Sequence, residues 1–380
     1  MATVLHSEEI LFMAMELSKS TWKLAISTGG GAPRVRDVTA WNVVALFDEI
    51  VAAKRRFGLP EAAKVVSCYE AGREAFSVHR MLTQLGVDNV VVDPASIEVP
   101  RRMRRVKTDR LDAQKLLAML RRHAQIGEKD VWRVVAAPSE SQEDERRPHR
   151  ERERLVKEQT AHTNRIRSLL TAQGTQTVSP AHADMTATPT WDGGPLPPEL
   201  LRELQREQAR LQLVQSQIKE IEALLTARTR APQTRADRVA AKLQRLHGID
   251  KVGWVVSKEL FGWRDFRNRR QVGSAAGLTG TPFDSGQSRR DQGISKAGNR
   301  RVRTLCIELA WSWLHHQPSS ALSEWFTTRV GAEKGRIRRI MIVALARKLL
   351  VALWRYVTFD EWPAGAVPSP SRALPSESKP

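Results

Sequence analysis

The chain has only two cysteines in 380 residues, Cys68 and Cys306, and they stand far apart with no metal-ligating spacing. Both read as small core residues in a reducing cytoplasm. Its nine histidines contain no HxxxH pair, and His315-His316 reads as a solvated helix end. Long hydrophobic runs are missing too. The longest late one, Ile340 to Trp354, is broken by Arg347 and Lys348, so nothing is expected to span a membrane. His6, Glu8 and Glu9 precede the first apolar run, so no signal peptide is expected. No basic amphipathic helix stands alone at a terminus, which argues against an anionic membrane as partner.

Acidic residues are in deficit. Lys and Arg number 61 against 42 Asp and Glu, leaving a formal charge of +19 and an isoelectric point near 10.6. The excess recurs along the chain, at 101–105, 146–147, 267–270, 289–290, 300–303 and 336–339. Clusters spread over a folded chain favour a long polyanion over a small acidic ligand.

The organisation follows from periodicity. Ile10 to Met15, Trp22 to Ser27 and Arg34 to Thr39 read as three successive strands, an antiparallel meander. Val43 to Phe57 is a helix, Lys64 to Tyr69 a strand, Phe76 to Leu85 a helix, and Val90 to Val92 a strand. A helix through Met103–His123 follows, so the layout is α/β with helices on a mixed sheet. Residues 140–170 are charged and helical, and 174–198, rich in Thr, Pro, Gly and Ala, read as a flexible insert. Leu200, Leu204, Leu211, Val214, Ile218, Ile221 and Leu225 form a heptad-like seam broken only at Glu207. That is the pattern of a coiled coil, of an antiparallel helix pair, or of a helix packed on its own domain. The domains expected are therefore 1–135, a charged helical and coiled-coil region 136–235, a mainly α domain 236–362, and a disordered tail 363–380.

Chemistry gathers in two places. Asp109 and Asp112, three apart on a helix, share a face, and paired carboxylates with water suit Mg²⁺. Glu16 and Glu70 close the first and fourth strands, and α/β proteins place ligands at strand ends. In the second half, Leu246 to Gly253 reads as the turn of a helix-hairpin-helix that sets its amides against a phosphate backbone. A Gly/Pro-rich loop, Ala275 to Gly286, carries Ser285 and is followed by Ile294-Ser295-Lys296. It could bring a hydroxyl and backbone N–H groups close to a phosphate.

The Met15-Glu16-Leu17-Ser18-Lys19 start, Tyr69-Glu70-Ala71-Gly72, Lys107-Thr108-Asp109-Arg110-Leu111-Asp112-Ala113 and the Gly277…Ser285-Gly286…Ile294-Ser295-Lys296 block, taken together, resemble one family. It is the bacterial insertion-sequence transposases with a RuvC-like DEDD domain and a serine-bearing C-terminal domain, whose recombinases are guided by a structured RNA. The resemblance covers about residues 10 to 362. It implies an RNase H-like (RuvC-like) first domain in which Glu16, Glu70, Asp109 and Asp112 hold Mg²⁺, with Mn²⁺ as a substitute. It makes Ser285 the nucleophile of a phosphoserine DNA recombinase. It also implies DNA, a guide RNA and further copies of the chain as partners, a dimer or tetramer joined through the coiled coil, in the bacterial cytoplasm and at the nucleoid when active. Lys107, Arg110, Arg289, Arg290, Lys296, Arg300 and Arg301 are the expected nucleic-acid contacts. Two positions depart from the pattern: Glu16 stands where Asp is usual, and Gly248-Ile249-Asp250-Lys251-Val252-Gly253 replaces a tighter Gly-Ile-Gly turn. Two rival readings are a RuvC-like nuclease in which water attacks and a non-catalytic nucleic-acid scaffold.

Overall fold

A computed structural model describes residues 10–29, 32–72, 74–97, 109–128, 130–175, 179–285 and 288–370, with the backbone alone at 283–285 and 288–292. The chain divides into two compact units, Met1–Ser139 and Glu140–Pro380. The charged helical stretch and the C-terminal stretch thus belong to one unit.

Unit 1 runs β1 (Ile10–Leu17), β2 (Thr21–Ser27), β3 (Arg34–Thr39), α1 (Val43–Arg56), β4 (Lys64–Glu70), α2 (Ala75–Gln84), β5 (Asp88–Val92) and α3 (Asp109–Gln125). The five strands lie in the order β3-β2-β1-β4-β5. The first three form the antiparallel meander, whereas β4 is parallel to both β1 and β5. The side-chain period of two splits β1 between two cores. Leu11, Met13 and Met15 join Leu46, Ile50, Val78 and Leu82 on the α1/α2 side. Phe12 and Ala14 join Ala113, Leu116, Leu117 and Leu120 on the α3 side. With both faces covered, β1 reads as an unbroken apolar run. The mixed α/β expectation holds, and α3 is described from Asp109 onward; Met103 to Thr108 fall outside the described residues.

Unit 2 is mainly helical: α4 (Glu140–Asp144), α5 (Arg147–Thr171), α6 (Pro198–Arg230), α7 (Arg235–Leu243), α8 (Val252–Val256), α9 (Arg269–Ala275), β6 (Gly280–Ser285), β7 (Ser288–Ile294), α10 (Arg300–His316), α11 (Ala321–Val330) and α12 (Arg336–Phe359). A π-helical turn, Ser257–Phe261, continues α8. Among the described residues no helix is long and apolar enough to cross a membrane.

The heptad seam of α6 is consumed inside the chain. Arg152 bonds Glu222 at 2.7 Å, His162 bonds Glu207 at 2.6 Å and Arg165 bonds Glu203 at 2.9 Å, so α5 and α6 run antiparallel. Leu204 and Leu211 pack with Ile166 and Leu170, Val214 and Ile218 with Leu155, and Leu225 with Ala240 and Trp254. The antiparallel-pair reading therefore holds, and a coiled coil between copies through this seam does not. Glu207, the break in the seam, is buried. Burial alone would raise its pKa, but the hydrogen bond and charge of His162, with Arg210, lower it on balance. One consequence is testable. Truncating the buried Leu211 to alanine should cost about 2–5 kcal/mol through lost transfer and a cavity, read as a lower urea midpoint with the particle mass unchanged. A drop in mass without loss of stability would return the seam to an interface between copies.

Three further expectations are corrected. The insert is not a flexible loop in its described part: Ala181, Met185 and Leu196 are buried against α5 and α6. The Gln208 and Gln212 amides donate to its backbone at Ala183 and Ala181, both at 2.7 Å. Three apolar anchors in a polar stretch are too sparse to show as periodicity. The tail is ordered as far as Pro370. Ser369 N donates to Arg245 O at 2.7 Å, and Val367 N donates to Gln317 Oε1 at 2.7 Å; 371–380 lie outside the described residues. Last, Trp311 and Ile340, whose sequence positions read as core with Leu314, Leu345, Leu349 and Leu353 in two helices near 300–315 and 333–356, are 39% and 56% exposed. The buried face of α10 is phased through Cys306, Leu309, Ala310 and Trp313 instead. Both thiols are core groups as read, and burial pushes that of Cys306 up to about 12.

Candidate active site

Four carboxylates share one edge of the unit 1 sheet. Strands β1 and β4 are parallel and pair Met15 with Tyr69, so Glu16 and Glu70 follow side by side at their C-terminal ends. Both lie in register with Ala14 and Cys68, on the face that α3 covers. Helix α3 runs against these strands. Its Leu116 carbonyl receives the Cys68 thiol at 3.7 Å, while Gln125 at its far end lies against Gly29, just past β2. Going back one turn from Leu116 to Asp112 covers about 6 Å of helix, and going on from Cys68 to Glu70 covers about 6.6 Å of strand. The first turn of α3, with Asp109 and Asp112, therefore faces the strand ends that carry Glu16 and Glu70. Asp109 and Asp112 share a helical face with the buried Leu116. Asp112 and Glu16 are half-buried, and Asp109 and Glu70 exposed.

One cation, Lys23, joins this edge. Glu16 is paired with Lys23 of β2, and Lys23 with Asp37 of β3, its ammonium 2.5 Å from the Asp37 carboxylate. As a donor set, four carboxylate oxygen groups suit a hard divalent cation that keeps several waters. Their side chains are not drawn in: among the described residues no three His, Cys, Asp or Glu side chains are gathered closely enough to hold a metal. Arg110 is exposed beside Asp109; Lys107 lies outside the described residues.

The serine block of unit 2 is a β-hairpin and not a loop. Strands β6 and β7 pair antiparallel with Ser285 opposite Ser288, so the serine sits at the tip. The side chains of Ser285, Arg289 and Arg290 lie outside the described residues. The hairpin base is tightly built. Ser295 N donates to Thr279 O at 2.8 Å, and Lys296 N donates to Gly277 O at 3.1 Å. Lys296 itself is held at φ 57°, a left-handed conformation costing roughly 1–2 kcal/mol for a side-chain-bearing residue. Its carbonyl accepts from Arg303 at 2.8 Å. Gly298 at φ +136° faces the Ala275 carbonyl where an added Cβ would lie 2.6 Å away, so only glycine fits.

Asn299 ties this base to a buried ionic centre. It caps α10 and donates to Glu259 at 3.0 Å. Glu259, on the π-helical turn, also receives Arg150 at 2.7 Å and His149 at 3.0 Å. Burial alone would raise its pKa, yet the hydrogen bonds from His149 and Arg150 hold it far below the carboxylate range. Two arginines of the basic clusters have partners inside the unit. Arg301 is bound to Glu153 of α5 at 2.6 Å, and Arg146 is buried with its guanidinium 4.3 Å from the Trp263 ring. Arg300 and Lys296 remain exposed. The helix-turn-helix at α7 and α8 is present; the first part of its turn is bonded within the unit, while Asp250 and Lys251 are exposed. His247 N donates to Val367 O at 3.2 Å, and Gly248 packs on His316.

Sequence reading missed a cleft of about 1000 Å³ beside the hairpin base, walled by α9 and α12. It draws on Arg269, Arg270, Arg336, Arg339, Arg347 and Arg355. Arg347 and Lys348 had counted only as breaks in an apolar run. Their spacing on α12 with Arg336, Arg339 and Arg355 was the available signal.

A mixed α/β unit with an acidic strand edge and a basic helical unit with a serine hairpin define a polynucleotide-directed protein. Comparison with known proteins makes this specific. Residues 240–323 match the family model described as "Transposase IS116/IS110/IS902 family". The chain is 40% identical over 373 residues to the protein named transposase y4rJ of Sinorhizobium fredii, covering 94% of each. It is 25% identical to the transposase for insertion sequence element IS1111A of Coxiella burnetii, across 74% of this chain and 75% of that one. The chain belongs to the IS116/IS110/IS902 transposase family.

Proposed function

We propose that this transposase cuts and rejoins DNA strands through a covalent phosphoserine intermediate on Ser285, with a divalent cation held by Glu16, Glu70, Asp109 and Asp112. The observation that carries the reading is the common edge. Two parallel strands end side by side in carboxylates, and an antiparallel helix begins there with two more. When bound, Mg²⁺ supplies charge neutralisation at the phosphate and lowers the pKa of an attacking or leaving hydroxyl. The Asp112 and Glu70 carboxylates hold and orient it.

Ser285 gives up its hydroxyl proton, its oxygen bonds to phosphorus, and the bond from phosphorus to one deoxyribose oxygen breaks as that oxygen takes up a proton. The phosphodiester count is conserved, so a second strand's hydroxyl can attack the phosphoserine, release the serine and reseal DNA without ATP. Arginines around the hairpin neutralise equatorial charge. A structured guide RNA reads the target by base pairing, as in other RNA-guided systems. Exchange between two duplexes needs several copies in one complex; because the α6 seam is filled by α5, other surfaces join them.

The test is a trapping experiment. A suicide substrate nicked beside the cut, incubated with the full chain and Mg²⁺ and then digested with protease, should yield a nucleotide-bearing peptide containing Ser285. Cleavage with no adduct on any residue would replace the reading with a RuvC-like nuclease.

A further inference from the structure

The cleft beside the hairpin has two chemically different parts. Much of its lining is cationic: α9 contributes Arg269 and Arg270, and α12 contributes Arg336, Arg339, Arg347 and Arg355. Lys296 and Lys348 add to it, and no Asp or Glu lines the cleft among the described residues. Arg355 is paired with Glu361 at 2.9 Å, and Lys348 lies 4.6 Å from the Trp325 ring. Among the described residues Arg269, Arg270, Arg336, Arg339 and Arg347 make no salt bridge. Unneutralised arginines this close repel one another, so a polyanion filling the cleft relieves that repulsion.

The rest of its lining is largely aliphatic: Leu278, Ile294, Leu322, Ile340, Val343 and Val351. Ile340 is 56% exposed in the first turns of a helix otherwise dense in arginine. A duplex would not use such an apolar surface, because its bases are stacked inside and only phosphates and groove edges reach the protein. An unpaired strand would, since its phosphates can meet the arginines while unstacked bases lie on the aliphatic surface.

The cleft's position supplies the third observation. Gly280 and Gly293, at the open ends of β6 and β7, line it, and the hairpin runs five residue steps from Gly280 to Ser285. At about 3.4 Å per residue the tip lies about 17 Å from the base, a few nucleotides along a strand.

We infer that this cleft binds an unpaired stretch of DNA a few nucleotides from the bond that is cut, so that the protein engages its substrate strand in melted form. The inference rests on Ser285 marking the cutting position, but its test does not. Binding is measured in chelator, where no strand is cut, with the full chain, a fluorescent 15-mer of thymidylate, and a duplex of the same length. Arg270→Ala with Arg339→Ala removes two phosphate contacts. The slope of log affinity against log salt should flatten by about 1.4, or about 25-fold weaker single-strand binding at 0.1 M salt. Ile340→Ser, at an exposed position that spares the fold, should weaken thymidylate binding severalfold with the salt slope and duplex binding unchanged. Circular dichroism melting confirms that each variant is folded, and Arg336→Ala replaces Arg270→Ala if the double variant is not. Unchanged thymidylate binding in the folded variants would overturn the inference, as would equal losses for thymidylate and duplex from Ile340→Ser. Tighter binding of oligouridylate than of thymidylate through the same residues would also overturn it, by giving the cleft to RNA.

Discussion

Ser285→Ala is expected to give neither strand cleavage nor a covalent adduct, with DNA binding retained. A methyl group has no lone pair with which to attack phosphorus, and the loss of a nucleophile is not partly recovered by the rest of a site that acts as a unit. The hairpin sets an unusually strict control. Ser288 lies directly opposite Ser285 in the β6–β7 register, so a hydroxyl one strand away could be mistaken for the nucleophile. Ser288→Ala should therefore leave cleavage within a few fold of the wild type. Ser295 is the second control; its hydroxyl accepts from Thr279 at 3.2 Å across the hairpin base, so Ser295→Ala loosens the base without removing the adduct. Ser285→Cys should retain a trace of cleavage, because a thiolate attacks well but prefers softer metals. Gel retardation with labelled element-end DNA separates binding from chemistry. Wild-type cleavage by Ser285→Ala, or an adduct that moves to Ser288 in the parent chain, would remove Ser285 from the role.

Most of unit 1 was legible because its elements obey simple periods. Arg34–Thr39 is the strand expected, and α1 begins at Val43 as expected, where the Asn42 side chain accepts from Ala45 N at 3.0 Å. Glu16 and Glu70 were readable as strand ends; their adjacency was not, because it depends on β4 crossing over to lie parallel beside β1. Unit 2 was less legible for identifiable reasons. A heptad seam reports that a partner exists without reporting whose helix it is, and α5 fills it here. Helix α11 was missed although Ser320 caps it, its side chain accepting from Ser323 N at 3.3 Å, because 10 residues give too little periodicity beside two long neighbours. Charge counting found the arginine clusters but weighted them alike. Partners inside the unit separate them: Arg146 stacks on Trp263 and Arg301 answers Glu153, whereas Arg270 and Arg339 line the cleft.

The other large effect belongs to the acidic edge. Asp112→Asn should reduce cleavage by about 10²–10³-fold, the scale expected when one group that stabilises transition-state charge is removed, here through the cation that Asp112 would hold. Asparagine keeps the size and hydrogen-bonding oxygen of aspartate, so the substitution isolates charge from shape. Asp112→Ala should do the same to cleavage, and both variants, having lost the carboxylate, should be less stable by about 0.3–1 kcal/mol, because a negative charge in the first turn of α3 favours the positive end of the helix macrodipole. Thermal melting of both variants measures that cost separately from the loss of cleavage. Neither change touches the Lys and Arg contacts that dominate polyanion affinity, so DNA retention should match the parent at equal salt. A second readout does not depend on chemistry at all. Adding Mg²⁺ to the parent chain should raise its melting temperature, since an ion that binds only the folded state stabilises it in proportion to the logarithm of its concentration. In Asp112→Asn that rise should shrink or vanish. Glu16→Asp should keep both the rise and the cleavage, because a carboxylate remains at the end of β1. Full cleavage by Asp112→Asn, or an undiminished Mg²⁺ shift in it, would move the cation away from this edge and leave Asp112 as a helix-start residue only.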